Sequence, residues 1–206
     1  FQSESKFRGE GLVLDQEGCD HFLLNNTIPI DLKIPGKHNA CNALAAAALG
    51  QHLGVDDDAI GSALSNFRSF SKRSEVVRLG QVTVINDSYN ANPGSMRAAL
   101  EMLAEMEGQR KVVLLGDMLE LGPSGLQLHV KIGQIAAEVA DLVFTTGALG
   151  QHIADGARAA GAEHVTHFVE KKSAIAKLKS TLVADDILLV KASRGLELWH
   201  VVEAIG

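Results

Sequence analysis

The sequence predicts an α/β fold: a mostly parallel sheet with helices on both faces, preceded by a smaller region of short strands and two helices. Three observations predict it. Beyond residue 76, apolar strand-like runs at 82–86, 111–115, 142–146, 164–169 and 187–191 alternate with helical stretches at 95–106, 126–140, 150–160, 172–182 and 196–205. Runs such as Val112-Val113-Leu114-Leu115 and Ile187-Leu188-Leu189-Val190 are apolar without alternation, as strands covered on both faces are. The chain has 206 residues, 46% of them hydrophobic, enough for one domain and a smaller piece. A domain of this size buries roughly 70% of the surface its unfolded chain exposes. With aromatics at 4%, that core is built from Ala, Val, Leu and Ile.

In order along the chain, Phe7 to Leu14, Phe22 to Leu24 and Ile28 to Ile34 read as short strands of a small, partly antiparallel edge. The turn-prone runs Asp15-Gln16-Glu17-Gly18 and Asn25-Asn26 separate them. Pro35-Gly36-Lys37 is a turn. Asn39 is placed to cap a helix running through Ala43, Leu44, Ala47 and Ala48 to His52, with Gly54 at its C-terminal cap. Asp56, Asp57 and Asp58 suit the N-terminal dipole of a second helix that carries Ile60 and Leu64 toward Phe67. Residues 66–74 are polar and irregular and mark a domain boundary, giving domains 1–70 and 71–206.

The net charge of −6 argues against a nucleic-acid partner, which needs a basic stripe to replace counterions. It does not exclude a nucleotide. The two cysteines, Cys19 and Cys41, have no zinc or disulfide spacing and fit a reduced, cytoplasmic protein. No run approaches about 18 consecutive apolar residues, so no membrane span is expected, and no signal sequence is expected either. The chain begins Phe1-Gln2-Ser3 without methionine, which leads us to expect a piece of a longer protein.

In sheets of this class ligands bind beyond the carboxyl ends of the strands, at a switch in strand order. That places 86–92, 116–118 and 191–194 at one rim. Asp87, Ser88, Tyr89, Asn90 and Asn92 can hold a ribose, a peptide or a phosphate; an Asx-rich turn that caps the next helix explains them equally. Lys191, Ser193 and Arg194 either bind a carboxylate or developing oxyanion, or are charges solvated at a strand end. Asn39 and Asn42, three residues apart, share a helix face beside His38. Lys72-Arg73 reads as a solvated pair in the linker. His164 and His167 point to opposite faces of a strand and do not chelate one metal. Gly147-Ala148-Leu149-Gly150 lacks a full GxGxxG, and no GxxxxGK[ST] phosphate loop occurs.

Together these motifs resemble the Mur ligases, the ATP-dependent amide-forming ligases of bacterial cell-wall synthesis, over nearly the whole chain. Residues 35–47, PGKHNACNALAAA, are similar to the family's G-x-H-N-x-x-N-A-L-A-A signature. The runs DSYNANP at 87–93, LGDMLELG at 115–122 and VKASR at 190–194 look like the branch that adds D-alanyl-D-alanine to UDP-N-acetylmuramoyl-tripeptide. The resemblance implies that residues 1–70 end a central ATPase domain and that 71–206 form a C-terminal Rossmann-like domain. It implies ATP and Mg²⁺, bound mainly by parts of the enzyme outside this chain. His38, Asn39 and Asn42 would approach the adenine, Asp87 the ribose and Arg73 the terminal phosphate. Asn90, Asn92, Lys191, Ser193 and Arg194 would meet the dipeptide, with Arg73 and Lys191 as the catalytic cations and no metal ligand here.

The implied chemistry converts a carboxylate to an acyl phosphate that the dipeptide amine attacks. Closure of the C-terminal domain about a hinge at 66–74 would keep water out. These residues alone would then be inactive. Two departures stand out: Lys72 replaces a family glycine before Arg73, and Ala192 replaces the glycine of a K-G-S-R motif. The alternatives are a Mur-type ligase adding a different amino acid, or a non-catalytic Rossmann-like nucleotide-binding module.

Overall fold

A computed structural model describes residues 7–15, 18–68 and 71–206. Residues 16–17 of the expected first turn and 69–70 of the polar segment lie outside the described residues, as do 1–6. The chain divides into two compact units, Phe1–Ser69 and Phe70–Gly206.

In the first unit β1 (Gly9–Leu14), β2 (Cys19–Leu24) and β3 (Ile28–Pro35) form a sheet in that order, and both pairings are antiparallel. Ile28, Ile30, Leu32 and Ile34 are buried while Pro29, Asp31 and Lys33 are exposed, so β3 has one wet face. The buried face packs with α1 (Lys37–His52) and α2 (Asp57–Asn66) through Phe22, Leu24, Ala40, Ala43, Ala47 and Ile60. Asp56 caps α2 by accepting from the amides of Asp58 and Ala59.

The expected cap of α1 is corrected. The helix starts three residues earlier, after Gly36 at φ 102°, a conformation suited to glycine. Asn39 lies inside the first turn, where its Nδ2 donates to the Pro35 carbonyl at 2.8 Å. Gly54, at φ 79°, follows the last turn as expected.

The second unit contains β4 (Glu75–Leu79), β5 (Val82–Asp87), α3 (Pro93–Glu105), β6 (Arg110–Leu115), α4 (Gly125–Val139), β7 (Leu142–Thr146), α5 (Gly150–Ala159), β8 (Val165–Phe168), α6 (Lys171–Thr181), β9 (Asp186–Lys191) and α7 (Trp199–Ile205). Its six-stranded sheet has the order β4-β5-β9-β6-β7-β8, parallel except for β4. That edge strand was not expected. It pairs with β5 across a two-residue turn at Gly80 and Gln81, with Gly80 at φ 62°. The expected helix at 196–205 also divides: Arg194–Leu196 is a 3₁₀ turn, Glu197 has φ 50°, and α7 starts at Trp199.

Strand order is what builds the rim. The chain runs outward from β5 to β6, β7 and β8 over α3, α4 and α5. It then returns through α6 and inserts β9 between β5 and β6. Residues of α3, α4 and α5 pack on Ile85, Val113, Leu115 and Leu189, and those of α6 and α7 on Val84, Val112, Leu114, Leu188 and Val190. Alternate side chains of each central strand thus enter opposite apolar layers, which is why β6 and β9 show no polar alternation. At the amino end of the sheet Arg110 of β6 clamps the buried Asp186 of β9 through Nε at 2.9 Å and Nη2 at 2.6 Å. The inserted strand is thereby held in register.

Candidate functional site

Because β9 lies between β5 and β6, the loop after it emerges between the other two. In the parallel ladders Lys191 is opposite both Asp87 and Leu115. The Lys191 ammonium is 2% exposed and donates to Asp87 Oδ2 and, at 2.9 Å, to the Asn90 carbonyl. Burial pulls its pKa down, Asp87 opposes that, and the Arg73 charge adds to the lowering. The other Asp87 oxygen accepts from the Ser74 amide at 2.9 Å. Two cations and a hydroxyl were expected to converge here on a ligand. The segments do converge, and the Lys191 ammonium is buried in the bond between the two loops.

Ser193 is likewise internal. It is 3% exposed, its Oγ accepts from the Leu119 amide at 2.9 Å, and its own amide donates to the Asp117 carbonyl at 2.9 Å. Ala192, the departure from glycine, sends its methyl into the apolar layer beneath the rim with Leu114, Val190 and Leu198. Gly116 opposite makes the room; a Cβ there would lie 2.8 Å from that of Ala192.

The polar run 87–92 divides between architecture and surface. Ser88 is buried and donates to Asn86 Oδ1 at 2.6 Å. Asn92 is the N-cap of α3: its Oδ1 accepts from the Ser95 amide at 2.9 Å, while Ser95 Oγ accepts from the Asn92 amide at 3.0 Å. Asn90 presents an exposed side chain. The Tyr89 ring carries the Arg73 guanidinium 4.0 Å from its centroid and that of Arg194 at 5.6 Å. Arg73, Asp87, Asn90 and Arg194 therefore share the rim.

The segment leading to Arg73 is anchored. Glu75 Oε2 accepts from the Lys72 amide at 2.9 Å and from Asn86 Nδ2 at 3.2 Å, and the Lys72 carbonyl accepts from the Tyr89 amide at 2.9 Å. Lys72 adopts φ 68°, the left-handed region in which glycine is at ease, and its Nζ sits 4.1 Å from the Trp199 ring centroid. Lysine here takes a backbone conformation that favours glycine and makes a cation–π contact. His38, Asn39 and Asn42 belong to the first unit. There Asn42 Nδ2 donates to Asn39 Oδ1 at 3.3 Å, so the two share a helix face as their spacing suggested, and His38 is exposed.

Sequence reasoning placed 116–118 at the rim but gave Asp117 no role, and it did not single out His129. Asp117 Oδ1 accepts from the amides of Leu149 and Gly150 at 2.9 and 2.7 Å, at the start of α5. Gly147, at φ 96°, admits the carboxylate; a Cβ there would lie 2.4 Å from Oδ1. The amides that a dinucleotide pyrophosphate would use in the Gly147–Gly150 turn are already engaged. The signal was available as LGD beside the glycine turn, but the contact joins residues 33 apart. Beyond β7 and β8 a cleft of about 450 Å³ is lined by Thr146, Gly147, Val169, Lys171 and Leu196. Among the described residues no helix is long and apolar enough to cross a membrane.

Comparison with known proteins places these loops in a family. A UDP-N-acetylmuramoyl-tripeptide–D-alanyl-D-alanine ligase of Bacillus subtilis is 38% identical over 198 residues, covering 93% of this chain and 43% of its own length. The ligase of the same name from Escherichia coli is 36% identical over 209 residues, 98% of this chain and 45% of its own. A crystal structure of MurF from Acinetobacter baumannii superimposes with a TM-score of 0.88 at 26% identity, over all of this chain and 46% of that one. The chain thus spans less than half the length of the curated relatives it matches. Residues 72–194, from the anchored Lys72 to the rim arginine Arg194, match the family described as Mur ligase, glutamate ligase domain, and the chain belongs to the Mur ligase family.

Proposed function

We propose that the chain is the C-terminal part of a bacterial, cytoplasmic ATP-dependent ligase that joins D-alanyl-D-alanine to UDP-N-acetylmuramoyl-tripeptide. Residues 1–70 end its central ATP-binding domain, and 71–206 are its C-terminal domain. One observation carries the reading: the runs DSYNANP and VKASR, which resemble the D-alanyl-D-alanine-adding branch, meet at a single rim through the Asp87–Lys191 bond.

The donor set at that rim suits a nucleotide. A carboxylate has roughly four acceptor sites, so Asp87 can take ribose hydroxyls while holding Lys191 and the Ser74 amide. Arg73 supplies a guanidinium for phosphate oxygens, positioned by Tyr89. In the first unit, and apart from that rim, His38, Asn39 and Asn42 are the polar groups we propose for the base. ATP, when bound, provides the phosphoryl group that turns a carboxylate into an acyl donor. Asn90 and Arg194 face the dipeptide, and Arg194 suits its terminal carboxylate. Lys191, Ser193 and Asn92 hold the loops that carry these groups. Mg²⁺ would be held mainly by the part of the enzyme outside this chain, through one or two carboxylates and the ATP phosphates. No step is assigned to it.

The test is an amine-substrate panel on the full-length enzyme with ATP and UDP-N-acetylmuramoyl-tripeptide. D-Alanyl-D-alanine should be ligated in preference to single amino acids, and residues 1–206 alone should form no amide. Faster ligation of glutamate or a diamino acid would reassign the branch. Ligation by the 206 residues alone would refute the placement of the phosphate site elsewhere.

A further inference from the structure

His129 lies on α4, outside every motif considered above, and is fully buried. Its Nδ1 donates to the Gly125 carbonyl at 2.7 Å, and its Nε2 accepts from the Met118 amide at 2.9 Å. An amide can only donate, so the second bond fixes the ring as the neutral tautomer protonated at Nδ1. Met118 is itself 0% exposed, and its amide meets this one acceptor in the described structure.

Met118 stands between two residues that hold the rim. The Asp117 carbonyl accepts from the Ser193 amide, and the Leu119 amide donates to Ser193 Oγ. The Asp117 carboxylate meanwhile caps the turn before α5. Asp117 and Leu119 therefore fasten the β6 loop to the β9 loop, and Asp117 fastens it to α5 as well, with Met118 between them. The imidazole fixes the middle one from below.

We infer that His129 is a positioning residue for the side of the rim that carries Ser193 and Arg194. It holds the Met118 amide and thereby sets the loop that clamps Ser193. The inference rests on the ligase reading and names the residue that orients its dipeptide side. The nucleotide side, held by Asp87, Lys191, Ser74 and Glu75, does not pass through His129.

The experiment compares His129→Gln, whose side-chain oxygen can keep the acceptor, with His129→Phe, which fills the space without one, in the full-length enzyme. We expect His129→Phe to lose about tenfold or more in kcat/KM for the dipeptide, the scale on which small misplacements act. The KM for ATP should stay within about twofold, and His129→Gln should recover most of the loss. Equal loss on both substrates, or no recovery with Gln, would make His129 merely structural and overturn the inference. Should His129→Phe fail to fold, ¹⁵N-histidine spectra of the wild-type protein decide: a proton on Nε2 in place of Nδ1 overturns it. If the wild-type enzyme ligates no dipeptide, the functional reading fails. The spectra and the exchange rate of the Met118 amide then still judge the positioning role.

Discussion

An ammonium 2% exposed, bonded to a carboxylate on the neighbouring strand and to a carbonyl three residues beyond it, ties two strand ends together. Removing one partner of such a pair leaves the other charge stranded. Lys191→Met should therefore lower the unfolding free energy by about 2–4 kcal/mol. Adding Asp87→Leu should restore at least about 1 kcal/mol, since the stranded carboxylate goes with it. Urea unfolding of the two variants checks both values, and additive losses would refute the coupling. The residue types at this rim were legible in the sequence. Their division into exposed and internal groups was not, because Lys191 and Asp87 lie 104 positions apart. Whether a lysine meets ligand or lattice depends on which strand is inserted beside it. The surroundings of both departures from the family pattern are visible only in three dimensions, in the contact of Lys72 with Trp199 and in the space that Gly116 leaves for Ala192.

At the scale of elements, the apolar runs at 82–86, 111–115, 142–146 and 187–191 identified their strands because each is covered on both faces. β4 escaped notice because its residues alternate half-buried and exposed, include Glu75 and Arg78, and directly follow the irregular linker. The contact of α4 with α5 was also illegible. Gly133 and Gly156 bring the two backbones together: a Cβ at Gly133 would lie 2.0 Å from the Ile153 carbonyl oxygen, and one at Gly156 would lie 2.1 Å from that of Val130. Backbone cannot retreat as a flexible side chain can. Gly133→Ala should thus destabilise by about 1–3 kcal/mol or more, even though alanine is the better helix former. A thermal melt checks it, and an unchanged or raised Tm would contradict the close packing. Because α5 begins at the amides held by Asp117, the same substitution should disturb the rim loop after β6.

For the whole molecule, one topological event organises the account. The return of the chain through α6 places β9 between β5 and β6 and brings 87–92, 116–119 and 191–194 to one edge. Apart from β4, the order of strands and helices was readable from the sequence, and so was the meeting of those three segments at one rim. The insertion of β9 was not, since no local pattern records which strands become neighbours. The most direct test is hydrogen–deuterium exchange on the full-length enzyme, with and without a non-hydrolysable ATP analogue, UDP-N-acetylmuramoyl-tripeptide and D-alanyl-D-alanine. The account predicts that protection within these 206 residues concentrates at 87–92, 116–119 and 191–194. Protection confined to the cleft around Thr146, Val169 and Lys171, with those three segments unchanged, would contradict it.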